Sequence, residues 1–140
     1  MGNKKVFFDA NILLDIIIRE RKGYQDAKKL WKYLVLENID IVISEDILTN
    51  VFYISKNKKD TLIFFKLIQN RWEITPFGEK IISDAIEHSF ENNLDLEDVL
   101  QCFCAKENGC HLLITNDKRF HDCGMTLMTT KDFLTHYETA

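Results

Sequence analysis

Short apolar segments alternate with longer stretches of helical periodicity along this chain, and that alternation restricts the possible folds more than any other feature. The pattern predicts five β-strands, separated by helices whose apolar residues recur at intervals of three and four. The strands are expected at residues 6–8, 39–43, 73–75, 112–115 and 126–129. Several strands are continuously apolar, as is typical of parallel strands covered on both faces. We therefore predict an α/β fold, a three-layer α/β/α sandwich around a mostly parallel sheet of about five strands.

The order of the strands decides which residues can meet in such a fold. Ligands bind beyond the carboxyl ends of the strands, at the point where the order of a parallel sheet reverses. We expect the order 3-2-1-4-5, which places strands one and four beside each other at this point. The intervening helices are expected to begin at polar capping residues, among them Ser44, Asp60 and Asp95.

The size of the chain is that of one domain, which we expect to span residues 1–140. Its 140 residues are close to the usual domain length, and 46% of them are hydrophobic. No apolar run approaches the roughly 20 residues needed to span a bilayer, and the N-terminus lacks the pattern of a signal peptide. We therefore expect no membrane association and a cytoplasmic location. In that reducing compartment the cysteines are expected to be buried, unpaired thiols: Cys102, Cys104, Cys110 and Cys123.

The net charge of −4 argues against broad, non-specific binding of nucleic acid, because phosphate binding usually requires a basic surface. It does not exclude an enzyme whose acids gather in one pocket and are neutralised by a metal ion. Basic residues also cluster locally, within residues 19–22 and 56–59. Such clusters are most simply solvated helix ends.

Three aspartates are expected to meet at the carboxyl edge of the sheet. Asp9 ends the first strand, Asp117 follows the fourth, and Asp98 lies in the first turn of the helix leading into the fourth strand. Hard cations prefer oxygen ligands, typically one or two carboxylates together with waters and substrate phosphates. The three acids therefore predict a Mg²⁺ or Mn²⁺ site, in which the cation activates water and neutralises a scissile phosphate.

Each of these acids also has a purely structural interpretation. Asp9 and Asp117 are both acceptable as turn residues, and Asp98 as the partner of a helix cap at Asp95. The three together are more specific than any one of them, but the residues alone leave the choice open. The lack of a glycine-rich phosphate loop in the sequence argues against a nucleotide-fuelled enzyme.

Three short motifs carry a resemblance to a known family. They are FDANILL at residues 8–14, LEDVL at residues 96–100 and LITNDKRF at residues 113–120. In order and spacing they resemble the pattern of PIN-domain proteins, which is Asp-x-Asn with aliphatic residues, an aspartate on a helix, and then Thr-x-Asp-x-x-Phe. More narrowly, the chain is similar to the VapC-like toxins of that family, and the resemblance covers essentially its whole length.

The resemblance implies a ribonuclease that depends on Mg²⁺ or Mn²⁺ and cleaves single-stranded RNA. In this family Asp9, Asp98 and Asp117 would hold the metal. Asn11 and Thr115 would support the site through hydrogen bonds. The resemblance also implies that the chain is the toxin of a toxin–antitoxin pair, whose small antitoxin would block the acidic cleft.

One position departs from the family pattern. Many members carry a glutamate on the helix after the second strand, where this chain has Asn50. The amide oxygen of asparagine can still face a metal or its waters but brings no charge, so metal binding should weaken. Glu97 or Glu45 could restore the missing carboxylate, and the sequence does not decide between them.

Other functions and assemblies remain as alternatives. Asn50 and the acidic net charge favour, to a small extent, a catalytically weak module that binds RNA or protein. A receiver-like domain is disfavoured, because the third strand ends in Thr75 and Pro76 without an acid. Four apolar residues fit either core packing or a homodimer interface: Leu62, Phe64, Phe65 and Phe77.

Overall fold

The five predicted strands are present and pair in one parallel sheet. The computed structural model describes residues 4–121 and 123–138. The sheet has the order β3-β2-β1-β4-β5, and every neighbouring pair of strands is parallel. The predicted order 3-2-1-4-5 is therefore confirmed. The strands are β1 (Lys5–Phe8), β2 (Asp40–Ser44), β3 (Glu73–Thr75), β4 (Leu112–Ile114) and β5 (Leu127–Met128).

Helices connect the strands and complete the predicted three-layer α/β/α sandwich. They are α1 (Ala10–Ile17), α2 (Tyr24–Leu36), α3 (Glu45–Ile54), α4 (Lys58–Ile68), α5 (Gly78–Asn92), α6 (Leu96–Glu107) and α7 (Thr130–Glu138). Helix α5 packs against α6, whereas α2 contacts α1 and α7, and α1 contacts α3. Among the described residues, none of the helices combines the length and apolar character that crossing a membrane requires.

The centre of the core lies along β1 and β4. Phe7 and Phe8 of β1 and Leu113 and Ile114 of β4 are fully buried, because helices cover both faces of the sheet. Removing a large apolar side chain from water stabilises the fold by roughly 1.5–3 kcal/mol. The ring of Phe8 packs edge-on against Trp72, with 5.5 Å between centroids. The parallel pairing of Phe8 with Ile114, continued by the Asp9 N–H bond to the Ile114 carbonyl at 3.2 Å, holds the carboxyl ends of β1 and β4 side by side.

The four apolar residues that fit either core packing or a homodimer interface differ in how deeply they are buried. Phe64, Phe65 and Phe77 are half-buried and pack against the core, and Phe64 meets Trp31 edge-on at 5.5 Å between ring centroids. Core packing therefore accounts for these three residues. Leu62 differs, because 49% of it remains exposed.

Two of the three predicted helix caps need correction. Asn57, not Asp60, caps α4, and its side-chain oxygen accepts a hydrogen bond from the backbone N–H of Asp60 at 3.0 Å. Ser44 occupies the cap position of α3, but its hydroxyl donates to the Asp46 carboxylate and leaves the backbone uncapped. Asp95 does cap α6, by accepting from the N–H of Asp98. Capping residues cluster at each helix start, so composition alone does not identify the one that bonds.

The cysteines are not all unpaired, contrary to expectation. Cys102 in α6 and Cys123 in the β4–β5 loop form a disulfide, with their Cα atoms 6.3 Å apart. Cys104 and Cys110 are buried free thiols, as predicted. The bonded pair is separated by 21 residues in sequence and carries no short spacing motif, so only the tertiary fold brings the two together.

Candidate active site

The switch point of the sheet lies between β1 and β4. Phe8 pairs with Ile114 in the parallel register, so the next residues, Asp9 and Thr115, leave the sheet side by side. From here the strand order runs outward in opposite directions, to β2 on one side and to β5 on the other. Parallel sheets bind ligands at such a point. Asp9 and Thr115 are nevertheless only 6% and 4% exposed.

Asp9 is a buried carboxylate held by two hydrogen bonds. It caps α1, and its Oδ1 accepts from the backbone N–H of Asn11 at 2.6 Å. Its Oδ2 accepts from the hydroxyl of Thr115. Burial raises the pKa of Asp9, and repulsion from Asp117 raises it further, whereas the bonds from Thr115 and Asn11 act in the opposite direction. No cationic side chain of the described ranges forms an ion pair with Asp9.

Thr115 connects Asp9 with Asp117. Its hydroxyl donates to Asp9 and accepts from the backbone N–H of Asp117, at an N–O distance of 3.2 Å. The Asp117 carboxylate in turn accepts from the backbone N–H of Arg119 at 2.9 Å. One buried hydroxyl therefore fixes how the ends of β1 and β4 present their acids.

Asp98 approaches the site from the first turn of α6. Its backbone N–H donates to Asp95 at 3.1 Å, so the capping role uses the backbone and leaves the carboxylate available. The backbone N–H of His121 donates to that carboxylate, which lowers its pKa. Burial, followed by repulsion from Asp95 and Asp117, outweighs this contact and raises the pKa of Asp98 to about 6.

Asn50 lies beside Glu97. The amide nitrogen of Asn50 donates to Glu97 Oε1 at 3.1 Å, and the amide nitrogen of Gln101 reaches the same oxygen at 3.5 Å. Partial burial raises the pKa of Glu97, and repulsion from Asp46 and Asp95 adds to it. The structure shows no hydrogen bond between Asn50 and the other candidate, Glu45. Of the two acids that the sequence left open, Glu97 is the one in contact with Asn50.

Asn11 contacts the site through its backbone. Its backbone N–H, rather than its side chain, bonds Asp9. Its side-chain oxygen lies 3.5 Å from the Arg21 guanidinium, and Arg21 also pairs with the buried Asp15 at 2.7 Å. The cluster of basic residues after α1 is therefore tied to the edge of the site.

Sequence reasoning missed two residues beside the acids. Gln101 is 4% exposed and follows Glu97 by four positions, one helical turn. That spacing was the signal that could have identified it. Asp46, which accepts from the fully buried Ser44, raises the pKa of Glu97 and so lies within reach of it. Its place in the first turn of α3 had suggested only an acid that stabilises the helix end.

The acids repel one another around the switch point of the sheet. Asp117 raises the pKa of both Asp9 and Asp98, and Asp9 raises that of Glu97. The strand ends and the first turn of α6 therefore face the same space. A bound cation would relieve this repulsion and favour the ionised carboxylates.

The donor set fits a hard divalent cation. The pocket offers carboxylate, hydroxyl and amide oxygens, with no histidine or thiol ligand among the predicted residues. Within residues 4–121 and 123–138, no three acidic, histidine or cysteine side chains lie close enough to hold one ion between them. Mg²⁺ is usually bound by only one or two carboxylates, and waters and substrate phosphates complete its shell. The arrangement thus suits an ion shared with a substrate better than a closed structural site.

A parallel sheet of this order with an acidic switch point defines the class of protein, and comparison with known proteins identifies the family. The model of the PIN domain matches residues 6–124. The chain is also 36% identical over 143 residues to ribonuclease VapC1 of Aquifex aeolicus, and the match covers 99% of each chain. The chain therefore belongs to the PIN-domain family, among the relatives of VapC.

Solved structures share the fold at low sequence identity. VapC20 of Mycobacterium tuberculosis, a toxin that cleaves the sarcin–ricin loop, superposes with a TM-score of 0.72 at 11% identity, covering 86% of this chain and 96% of its own. A toxin–antitoxin complex from Klebsiella pneumoniae gives a TM-score of 0.67 at 20% identity, with 89% and 97% covered. VapBC2 of Rickettsia felis, bound to promoter DNA, gives 0.65 at 21% identity, with 89% and 98% covered.

Proposed function

We propose that this chain is an endoribonuclease that requires Mg²⁺ or Mn²⁺, cleaves single-stranded RNA, and acts as the toxin of a toxin–antitoxin pair. The observation that carries the proposal is the gathering of Asp9, Asp98 and Asp117 at the switch point between β1 and β4. The full-length similarity to a ribonuclease supports RNA hydrolysis as the reaction. Cellular RNA as the substrate fits a cytoplasmic location.

Asp9, Asp98 and Asp117 would hold the cation in this proposal together with waters and substrate phosphates, because three such side chains of the described residues do not reach one ion by themselves. When bound, the cation supplies an acidified water and a counter-charge for the scissile phosphate. The protein's own contribution is orientation. Thr115 fixes the Asp9 carboxylate through its hydroxyl, and the backbone N–H of Arg119 fixes Asp117. Such supporting contacts typically change metal affinity or activity by roughly 10- to 100-fold.

Glu97 would provide the carboxylate that Asn50 lacks. Asn50 and Gln101 both direct an amide N–H at Glu97 Oε1, and the second oxygen, Oε2, has no hydrogen bond among the described residues. An amide beside a carboxylate can donate to it, whereas a second acid there would repel it. Asn50 is then a residue that orients Glu97, and the site retains its fourth acid on α6 instead of α3.

RNA would meet this acidic pocket through nearby cations, since the net charge of the chain is −4. The Arg119 side chain is 96% exposed and only 3.9 Å from Asp117, where it could contact a phosphate. A cavity of about 660 Å³ also adjoins the site through Arg21, and Arg19 and Lys56 line it. These groups provide local phosphate contacts without a basic surface overall.

A small antitoxin is the proposed protein partner. Toxin–antitoxin complexes among the solved structures with this fold support it. A protein that covers the acidic pocket would keep RNA from reaching Asp9 and Asp98.

One alternative function is that of a catalytically weak module that binds RNA or protein. The observation in its favour is that no three potential metal ligands in the described ranges lie within reach of one ion. A module of this kind would bind Mn²⁺ weakly or through one acid, and it would not cleave RNA.

The experiment that tests the proposal is cleavage of a mixed single-stranded RNA by the purified chain in Mn²⁺, Mg²⁺ and EDTA. Asp98→Asn is the test variant. Asp84→Asn is its matched control, because Asp84 lies exposed on α5 and pairs with Lys80 at 3.8 Å. We expect metal-dependent cuts that Asp98→Asn abolishes and Asp84→Asn preserves. Equal cleavage by wild type and Asp98→Asn, or wild-type cleavage in EDTA, would contradict the proposal.

A further inference from the structure

The disulfide between Cys102 and Cys123 joins two segments that carry proposed metal ligands. Cys102 is fully buried on α6, four residues after Asp98, so both lie on one face of the helix. Cys123 lies in the β4–β5 loop, six positions after Asp117. Their Cα separation of 6.3 Å falls in the usual disulfide range of roughly 4.4–6.8 Å. The bond thus closes α6 onto the loop one turn away from the Asp98 carboxylate.

The loop beside this bond is anchored in the core at its ends and contacts α6 between them. Phe120 and Met125 are each 8% exposed and pack into the core. Between them, the backbone N–H of His121 bonds the Asp98 carboxylate. Lys106 Nζ donates to the backbone oxygen of Cys123 at 3.1 Å, in an exposed contact. The disulfide is the covalent link between this loop and α6, and the His121 ring also lies 6.1 Å from the His88 ring.

We propose that Cys102 and Cys123 form a thiol–disulfide exchange site that controls the contact between the His121 N–H and Asp98. In the bonded form the loop stays against α6 and Asp98 is held in place. In the reduced form His121 and Cys123 move away from α6, and Asp98 loses that contact. The inference rests on the proposed function where it concerns metal binding, because it names a regulation of the same site.

The reagents are low-molecular-weight thiols and disulfides. A thiolate attacks Sγ of Cys123, which is half-buried, whereas Cys102 is fully enclosed. The S–S bond breaks, and Cys102 leaves as a thiolate and takes up a proton. A second thiolate attacks the mixed disulfide and releases Cys123, which is also protonated. Two small thiols are thereby oxidised to one disulfide, and the protein disulfide gains two electrons and two protons; the reverse reaction uses a small-molecule disulfide.

The remaining cysteines do not compete in this exchange. Cys104 and Cys110 are buried and unpaired, and burial raises the pKa of both thiols to about 12. The thiolate is the reactive form, and near neutral pH neither residue provides it. Exchange is therefore confined to the pair beside Asp98.

The first measurement counts thiols in the full chain after exposure to oxidised or reduced glutathione, by alkylation under denaturing conditions. We expect two alkylated cysteines in the oxidised form and all four in the reduced form. The second measurement compares the two forms by hydrogen exchange at the His121 amide and by Mn²⁺ titration. Reduction should speed exchange at His121 and weaken Mn²⁺ binding by about tenfold, the lower bound for loss of a supporting contact.

Two variants separate the bond from other effects of the reagents. Cys123→Ser should behave as the reduced form in either reagent, whereas Cys110→Ser keeps the pair and should respond as wild type does. Four alkylated thiols after oxidation would overturn the proposal. The proposal would also be overturned if the disulfide formed without changing hydrogen exchange at the His121 amide or the affinity for Mn²⁺. Hydrogen exchange at the His121 amide is measured without RNA. Absence of RNA cleavage in both forms would therefore count against the proposed function alone.

Discussion

The two sides of the acidic pocket are built in different ways. The strand-end group consists of Asp9, Thr115 and Asp117, and the helix group consists of Asn50, Glu97, Asp98 and Gln101. Asp9 and Thr115 are almost fully buried, and the Thr115 hydroxyl connects both acids of the strand-end group. Apart from the buried Gln101, the helix group is more exposed, and a 3.5 Å contact from Gln101 is one of the bonds that hold Glu97.

This difference indicates which part of the site is fixed before a cation binds. The strand-end group depends on β1 and β4. The packing of these strands and one hydrogen-bond network fix the position of Asp9. The helix group depends on the first two turns of α3 and α6, and its acids are repelled by neighbouring acids. We therefore expect the strand ends to determine whether a cation binds and the helix group to tune how tightly.

The substitution Asp9→Asn is expected to have the largest effect. Loss of a ligand carboxylate that contacts the cation removes several kcal/mol of transition-state stabilisation, and about 4 kcal/mol corresponds to roughly 10³-fold in rate. Single-turnover cleavage of RNA in Mn²⁺ measures it. Because burial raises the pKa of Asp9, its ionised form destabilises the metal-free fold at neutral pH. The metal-free variant should therefore melt at the same temperature as wild type or above it.

Asp84→Asn serves again as the control, since it removes one exposed carboxylate far from the pocket. A variant at Asp9 that melts well below wild type would show that its hydrogen bonds, rather than its charge, dominate. An Asp9→Asn enzyme with near-normal cleavage would remove the distinction between the two groups.

Acidification is expected to act on the helix group, with a smaller effect. The pKa of Asp98 is about 6, and a metal ligand must be deprotonated. One pH unit below that value, about a tenth of the carboxylate is ionised, so Mn²⁺ affinity should be about tenfold weaker at pH 5 than at neutral pH. Mn²⁺ titrations across this range measure the effect. Asp98→Asn should bind more weakly and lose this pH dependence.

The same pKa shift fixes the sign of a stability change without metal. The folded-state pKa of Asp98 lies above its ordinary value of 3.8, so between about pH 4 and pH 6 the folded protein binds this proton more readily than the unfolded chain. The contribution of Asp98 to the free energy of unfolding therefore falls as the pH rises through that window. Relative to Asp98→Asn, metal-free wild type should melt lower at pH 7 than at pH 5, and the opposite trend would contradict the assignment.

The strand-end group was the more predictable part of the molecule. A continuous apolar run ending at Asp9 and another followed by Thr115 define two parallel strands, and the usual strand order makes them neighbours. Both features are local in sequence, and burial on both faces of the sheet reinforces them. The sequence therefore predicted the sheet order and the residues at the switch point.

Contacts between distant side chains were not predictable in the same way. Asn50 and Glu97 are 47 residues apart and meet only because α3 and α6 begin at one edge of the sheet. The sequence left Glu45 and Glu97 as equal candidates, since both are acids in the first turn of a helix. The disulfide between Cys102 and Cys123 was not predicted for a related reason. No spacing motif marks two cysteines that a loop brings to a helix.

The substitution Asn50→Ala is expected to have the smallest effect of the three. It removes one N–H donor from a partly exposed carboxylate, a contact that contributes about 1 kcal/mol, or roughly fivefold in Mn²⁺ affinity. Glu97→Gln should weaken binding further, because it removes the charge itself. The double variant Asn50→Glu, Glu97→Gln exchanges acid and amide across the same contact, and it should recover affinity relative to Glu97→Gln alone. If Asn50→Ala weakens Mn²⁺ binding as much as Asp9→Asn does, the helix group is as essential as the strand ends. If the double variant recovers no Mn²⁺ affinity, the carboxylate must stand on α6 as Glu97 does, and a negative charge at position 50 is not sufficient.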